Sequence, residues 1–159
     1  MYQGILIVSQ LLLAVIYFSA GLSKLLPWFP NIIGPVWLID VLAKYNLALF
    51  GYFIAIAQAV VGGLLFFPRF RLAASLMLLP MHLCITVIPI SLGWQGTPIV
   101  NGLLLIMLLA LLFDDRHQLK ALLASQAESQ YGNNKRVYWL SLVCFFFLAV
   151  FLKYGTAFL

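Results

Sequence analysis

A chain of 159 residues that is 65% hydrophobic and only 8% charged cannot cover itself with a water-facing surface, since ordinary globular proteins are about one quarter charged. Its formal charge of +5 comes from Lys and Arg at the ends of apolar segments, so they read as topology signals and lipid-headgroup contacts, and no nucleic-acid partner is expected. The length fits one compact membrane domain and leaves no room for a separate soluble one.

The chain begins Met1-Tyr2-Gln3, and its first basic residue is Lys24. A cleaved signal peptide would need a basic segment before its apolar core, so residues 4–23 read as a retained membrane span. Residues 28–44 follow as an interfacial segment, apolar but broken by Pro30 and Pro35 and anchored by Trp28 and Trp37. Tryptophan favours the headgroup level, and a short helix is expected near residues 35–43. The second span covers 47–67 and stops at Pro68, with Arg69-Phe70-Arg71 as a tight turn.

Residues 72–113 contain no Asp, Glu, Lys or Arg. Bilayer hydrocarbon is about 30 Å thick and about 20 helical residues cross it, so this stretch makes two crossings, 72–92 and 99–113. Gly93, Gly96 and Pro98 punctuate the turn between them. Asp114-Asp115 can cap a new helix. In residues 115–130 Leu119, Leu122 and Leu123 share a face among polar residues, which suits a helix lying on the membrane surface. Tyr131-Gly132-Asn133-Asn134 ends it, and a fifth span is expected over 137–158, with Lys153 snorkelling at its far end.

With five crossings, Arg69, Arg71, Arg116, Lys120, Lys135 and Arg136 fall on one side, and Lys24, Lys44 and Lys153 on the other. The positive-inside rule then predicts a cytoplasmic N-terminus and a periplasmic C-terminus. Cys84 and Cys144 lie within apolar segments and form no CxxC. Both are expected to be small buried hydrophobes rather than a disulfide or exchange site.

Polar residues inside spans are costly and often mark function. Four stand out as a candidate intramembrane site: Lys24, Gln58, His82 and Asn101. Lys24 shares a helical face with Gln10, Tyr17 and Gly21, and His82 with Ser75, Thr86 and Pro89. His82 suits a hydrogen bond to a neighbouring helix, a quinone or lipid contact, or a metal or proton role. No second ligand stands near it in sequence, and no metal site is expected. Gln58 and Asn101 suit interhelical hydrogen bonds. Gly51, Ala55, Ala59 and Gly63, each four apart, form a ridge of small residues for close helix packing within the chain or across a dimer seam. The acids Asp40, Asp114, Asp115 and Glu128 all lie outside the spans, and no nucleophile–base pair, phosphate loop or paired carboxylate is present.

Phe18-Ser19-Ala20-Gly21-Leu22-Ser23-Lys24 resembles the first-helix signature of the DoxX-like membrane proteins, in which an aromatic residue, a Gly and a Lys close helix one. Gln58-Ala59-Val60-Val61-Gly62-Gly63 with Arg69-Phe70-Arg71-Leu72-Ala73-Ala74 resembles the family's second helix and basic turn, except that members usually carry Glu at the position of Gln58. Asn101, the apolar run after it and Asp114 resemble the fourth helix and its end. The resemblance covers about residues 11–116 and implies a four-helix bundle in a bacterial inner membrane, to which this chain adds a surface helix and the fifth span. Some DoxX-like and MauE-like proteins are linked to quinone-dependent thiosulfate oxidation or to maturation of periplasmic redox enzymes.

These readings together predict an all-α polytopic membrane bundle. Its expected function is that of a non-catalytic, redox-associated accessory subunit or assembly factor, which binds a membrane-protein partner or a second copy of itself. A quinone-linked oxidoreductase component is one alternative, with quinone the one cofactor considered. A small-molecule or lipid carrier, which needs Lys24, Gln58, His82 and Asn101 to converge on one cavity, is the other.

Overall fold

The computed structural model describes residues 2–129 and 135–154. Among them the secondary structure is helical throughout: α1 (Tyr2–Leu25), α2 (Leu38–Ala43), α3 (Ala48–Leu65), α4 (Arg71–Ser91), α5 (Thr97–Asp114), α6 (Arg116–Ser129) and α7 (Lys135–Tyr154), with a single 3-10 turn at Pro68–Phe70. The helices α1, α3 and α5, and α4 with the turn before it, are long and apolar enough to cross a membrane. Helix is the only open form that satisfies every backbone group within its own segment in lipid, which is why apolar runs of this length fold this way. The chain forms two compact units, Met1–Arg116 and His117–Leu159.

In the first unit the four long helices close a ring, each packed on two neighbours: α1 on α3, α3 on α4, α4 on α5 and α5 back on α1. The short α2 lies against α3. The main core joins Leu13 and Tyr17 of α1, Leu65 of α3, Leu78 of α4, and Leu108 and Leu111 of α5. A smaller cluster of Leu38, Leu42 and Ile54 seats α2. Many large apolar side chains face outward, such as Val8, Phe53, Leu103 and Ile106. Lipid, unlike water, imposes no cost on that exposure.

Where α1 crosses α3 the backbones themselves touch. A methyl on Gly21 would run into the backbone of Ala55 and Ala59, and one on Gly62 into the backbone at Tyr17 and Phe18. The ridge of Gly51, Ala55, Ala59 and Gly63 is therefore spent inside the chain. Ala55 and Ala59 face Gly21, Gly51 faces Ile39 of α2, and a methyl on Gly63 would meet the Phe18 ring at an ordinary contact distance, 3.7 Å. Close backbone approach of this kind is what holds membrane helices together when burial of apolar area is no longer a driving force.

One end of the bundle is tied by polar groups. Gln10 Nε2 donates to the Leu65 carbonyl at 2.8 Å, one of the α3 carbonyls that lacks an intrahelical donor. At the same end Arg71 opens α4 and bonds the close of α5. Its Nη2 donates to Asp114 at 2.8 Å and its Nε to Asp115 Oδ2 at 2.8 Å, and Nη2 also donates to Asp115 Oδ1. The fork matches a carboxylate bidentately. Beside any part in topology or in capping the next helix, the charges of Arg71, Asp114 and Asp115 tie α4 to α5.

The second unit contains α7 and nearly all of α6. A helix is present over the segment expected at 115–130, as α6. The break expected at Tyr131 to Asn134 lies outside the described residues, as do 155–158 of the fifth span. Within α7 the apolar stretch Arg136–Leu148 is shorter than the four candidate spans.

One expectation is corrected. Cys84 and Cys144 are both exposed rather than buried. Cys84 stands beside exposed Leu83 on the outside of α4. In a membrane helix the lipid-facing side is as apolar as the core, so apolar neighbours in sequence do not separate the two.

Candidate functional site

Lys24 lies two helical turns after Tyr17, so both point into the bundle from one face of α1. The Lys24 ammonium donates to the Ala20 carbonyl at 2.7 Å and to Gln58 Oε1 of α3 at 3.2 Å. An ammonium has three N–H donors, so one remains. Among the described residues the ion pairs are those of Arg71, and the acceptors of Lys24 are both neutral.

His82 is wholly enclosed, with 0% exposure. Its Nε2 lies 2.9 Å from the Asn101 backbone carbonyl of α5. A carbonyl only accepts, so Nε2 carries the proton, and Nδ1 of the neutral ring accepts from the Tyr17 hydroxyl. The two rings meet edge to face with centroids 5.9 Å apart. One imidazole thus bridges α1, α4 and α5. Thr86, one turn on, donates its hydroxyl to the His82 carbonyl at 2.8 Å, a side-chain bond to the preceding turn that serine and threonine make within helices.

Asn101 sits in the first turns of α5 and is 7% exposed. Its backbone carbonyl holds His82, but its side-chain Nδ2 is buried with no partner among the described residues. A buried donor left unmade costs about 1–3 kcal/mol, so an orphan here needs a reason. Ser75 Oγ is the other buried orphan, and it lies away from the cavity described next.

Tyr17, Lys24, Gln58 and Asn101 all line one cavity of about 570 Å³, within the usual ~300–1,000 Å³ of small-molecule sites. Ile16, Ile85, Pro89 and Leu104 supply apolar wall from α1, α4 and α5. The rest comes from two irregular stretches at the Lys24 end of the bundle. The α1–α2 connection contributes Gly34 and Trp37, and the α4–α5 turn contributes Trp94 and Gly96. Gly34 and Gly96 have φ of 113° and 87°, a backbone region open to glycine at little cost. The indoles of Trp37 and Trp94 meet at 4.7 Å between centroids, joining the two stretches beside the cavity.

Three of the four residues singled out from sequence, Lys24, Gln58 and Asn101, therefore meet at one cavity. The fourth, His82, is not among its lining residues but bonds two that are. Gln58 bonds a neighbouring helix through its side chain, whereas Asn101 does so only through its backbone. Tyr17 was missed as a site residue; its place two turns before Lys24 on the same face was the available signal. The part of Trp37 and Trp94 had no such signal, because it depends on how two loops fold over the helix ends.

No carboxylate lines the cavity. Among the described residues, no group of three or more His, Cys, Asp or Glu could hold a metal ion. What the site offers is the remaining donor of Lys24 and the polar side chains of Gln58, Gln95, Thr97 and Asn101, set among apolar walls. That arrangement can hold an oxygen-bearing head group and enclose the apolar body attached to it. Compared with models of protein families, with curated proteins and with solved structures, the chain matches none.

Proposed function

We propose that this multi-pass membrane protein binds an amphipathic small molecule, with the head group held by Lys24 and Asn101 and the apolar part against Ile85 and Leu104, and that it acts as a carrier or presenting subunit for that molecule. The observation that carries the reading is the Asn101 amide. It is buried, without a partner, and on the wall of a cavity large enough for a ligand. A ligand acceptor, reached by a turn of the amide, would remove the cost of the orphan donor. We place the site at the periplasmic side of a bacterial inner membrane, following the distribution of Lys and Arg, and we keep α7 as a fifth crossing in that topology.

The accessory-subunit reading loses one of its supports, because the small-residue ridge is used between α1, α2 and α3. The quinone reading keeps one. A quinone has two carbonyl oxygens for the free donors of Lys24 and Asn101, and the Tyr17–His82 hydrogen bond adjoins the same wall.

Extraction of the purified full chain followed by mass spectrometry tests the proposal. The expected result is one class of amphiphile retained by the wild type and depleted by Asn101→Leu and by Lys24→Met, with helical content unchanged. Equal recovery from all three proteins, or no enriched molecule in any, would contradict it.

A further inference from the structure

We infer that the head group taken by this cavity is a monoanion, a carboxylate or a phosphodiester on an apolar body, and that it serves as the missing counter-ion of Lys24. The inference rests on the binding reading above and specifies its ligand. Lys24 is half-buried, and its ammonium touches only neutral acceptors, the Ala20 carbonyl and Gln58 Oε1. No Asp or Glu is among the residues that line the cavity, and the acids Asp114 and Asp115 are engaged by Arg71. A cation drawn partly out of water gains from an anionic partner brought beside it. Asn101 lines the same cavity and is nine-tenths buried, and its Nδ2 has no partner among the described residues. A positive charge at the cavity wall fits one oxygen of a two-oxygen anion, and a turn of the Asn101 amide would bring its buried N–H groups to the other. A neutral head would satisfy the donors but leave the charge uncompensated.

Gln58 makes the inference testable with one isosteric change. Gln58→Glu puts a carboxylate where the amide oxygen already accepts from Lys24, so the protein supplies its own counter-ion and no volume changes. The full chain is purified in non-ionic detergent and titrated by native mass spectrometry with palmitate, with methyl palmitate and with phosphatidylglycerol. In the wild type a single adduct of palmitate or of phosphatidylglycerol is expected, at least about tenfold tighter than the ester. Whichever of the two saturates at lower concentration names the source as a free fatty acid or a membrane phospholipid. Gln58→Glu is expected to remove that preference.

Ester and acid binding equally in the wild type, or Gln58→Glu leaving the preference intact, would overturn the monoanion and leave the binding site standing. If none of the three probes forms a one-to-one adduct, or if Asn101→Leu changes none of them, the site itself is refuted and the inference with it.

Discussion

At the scale of single residues, His82 shows how an ionisable side chain can be absorbed into a membrane bundle. Both ring nitrogens are satisfied, one by Tyr17 and one by the Asn101 carbonyl, so the imidazole costs little where it lies and joins three helices. Tyr17→Phe removes the donor and leaves Nδ1 buried without a partner. The expected loss is about 1–3 kcal/mol of stability, measured by denaturant unfolding in detergent micelles. In the Tyr17→Phe background, His82→Leu should cost clearly less than it does alone, because the two residues share one interaction. Additive losses would show that the hydrogen bond contributes nothing. Asn101 behaves differently, since its side chain is not absorbed. From sequence, Asn101 and His82 look alike, each an exception in an uncharged stretch. Which of them is satisfied internally depends on partners 19 and 65 residues away, and no local pattern encodes that.

At the scale of elements, α1 and α3 are held by backbone contact at Gly21 and Gly62 as well as by apolar side chains such as Leu13 and Leu65. Gly62→Ala would force a methyl onto the backbone at Phe18, and overpacking of this kind costs about 1–3 kcal/mol. Gly63→Ala meets only the Phe18 ring at 3.7 Å and should stay within about 0.5 kcal/mol of the wild type. Thermal unfolding of the two variants side by side checks the contrast, and equal effects would place the crossing elsewhere. The Arg71 fork with Asp114 and Asp115 closes the opposite end of the α4–α5 hairpin from the cavity. Asp115→Asn weakens it without changing shape and should lower the melting temperature while leaving ligand binding at the far end unaltered. Element positions were largely legible beforehand, because runs of apolar residues between charges and prolines fix where helices of spanning length begin and end. Thus 72–92 and 99–113 correspond to Arg71–Ser91 and Thr97–Asp114. The small-residue ridge was legible as a packing surface, but its partner was not: spacing alone cannot say whether Ala55 and Ala59 meet Gly21 of the same chain or a second copy. The exposed Cys84 marks the same limit, for lipid and core select the same residues.

At the scale of the whole molecule, the two ends of the bundle differ. One carries Arg71 with its two aspartates, the other the cavity with its tryptophans and an unpaired Lys24. The positive-inside reading predicts opposite accessibility for them. With Cys84 and Cys144 replaced by Ala, Arg69→Cys should resist a membrane-impermeant maleimide in intact cells and Gln95→Cys should react, and the reverse pattern would invert the topology. The account turns on whether the cavity is a binding site, and an experimental map of the full chain in lipid nanodiscs tests this most directly. The predicted result is density for an amphiphile inside the cavity, with its head between Lys24 Nζ and Asn101 Nδ2. A map in which the cavity is empty or closed, with Asn101 bonded to another residue of the chain, would contradict it.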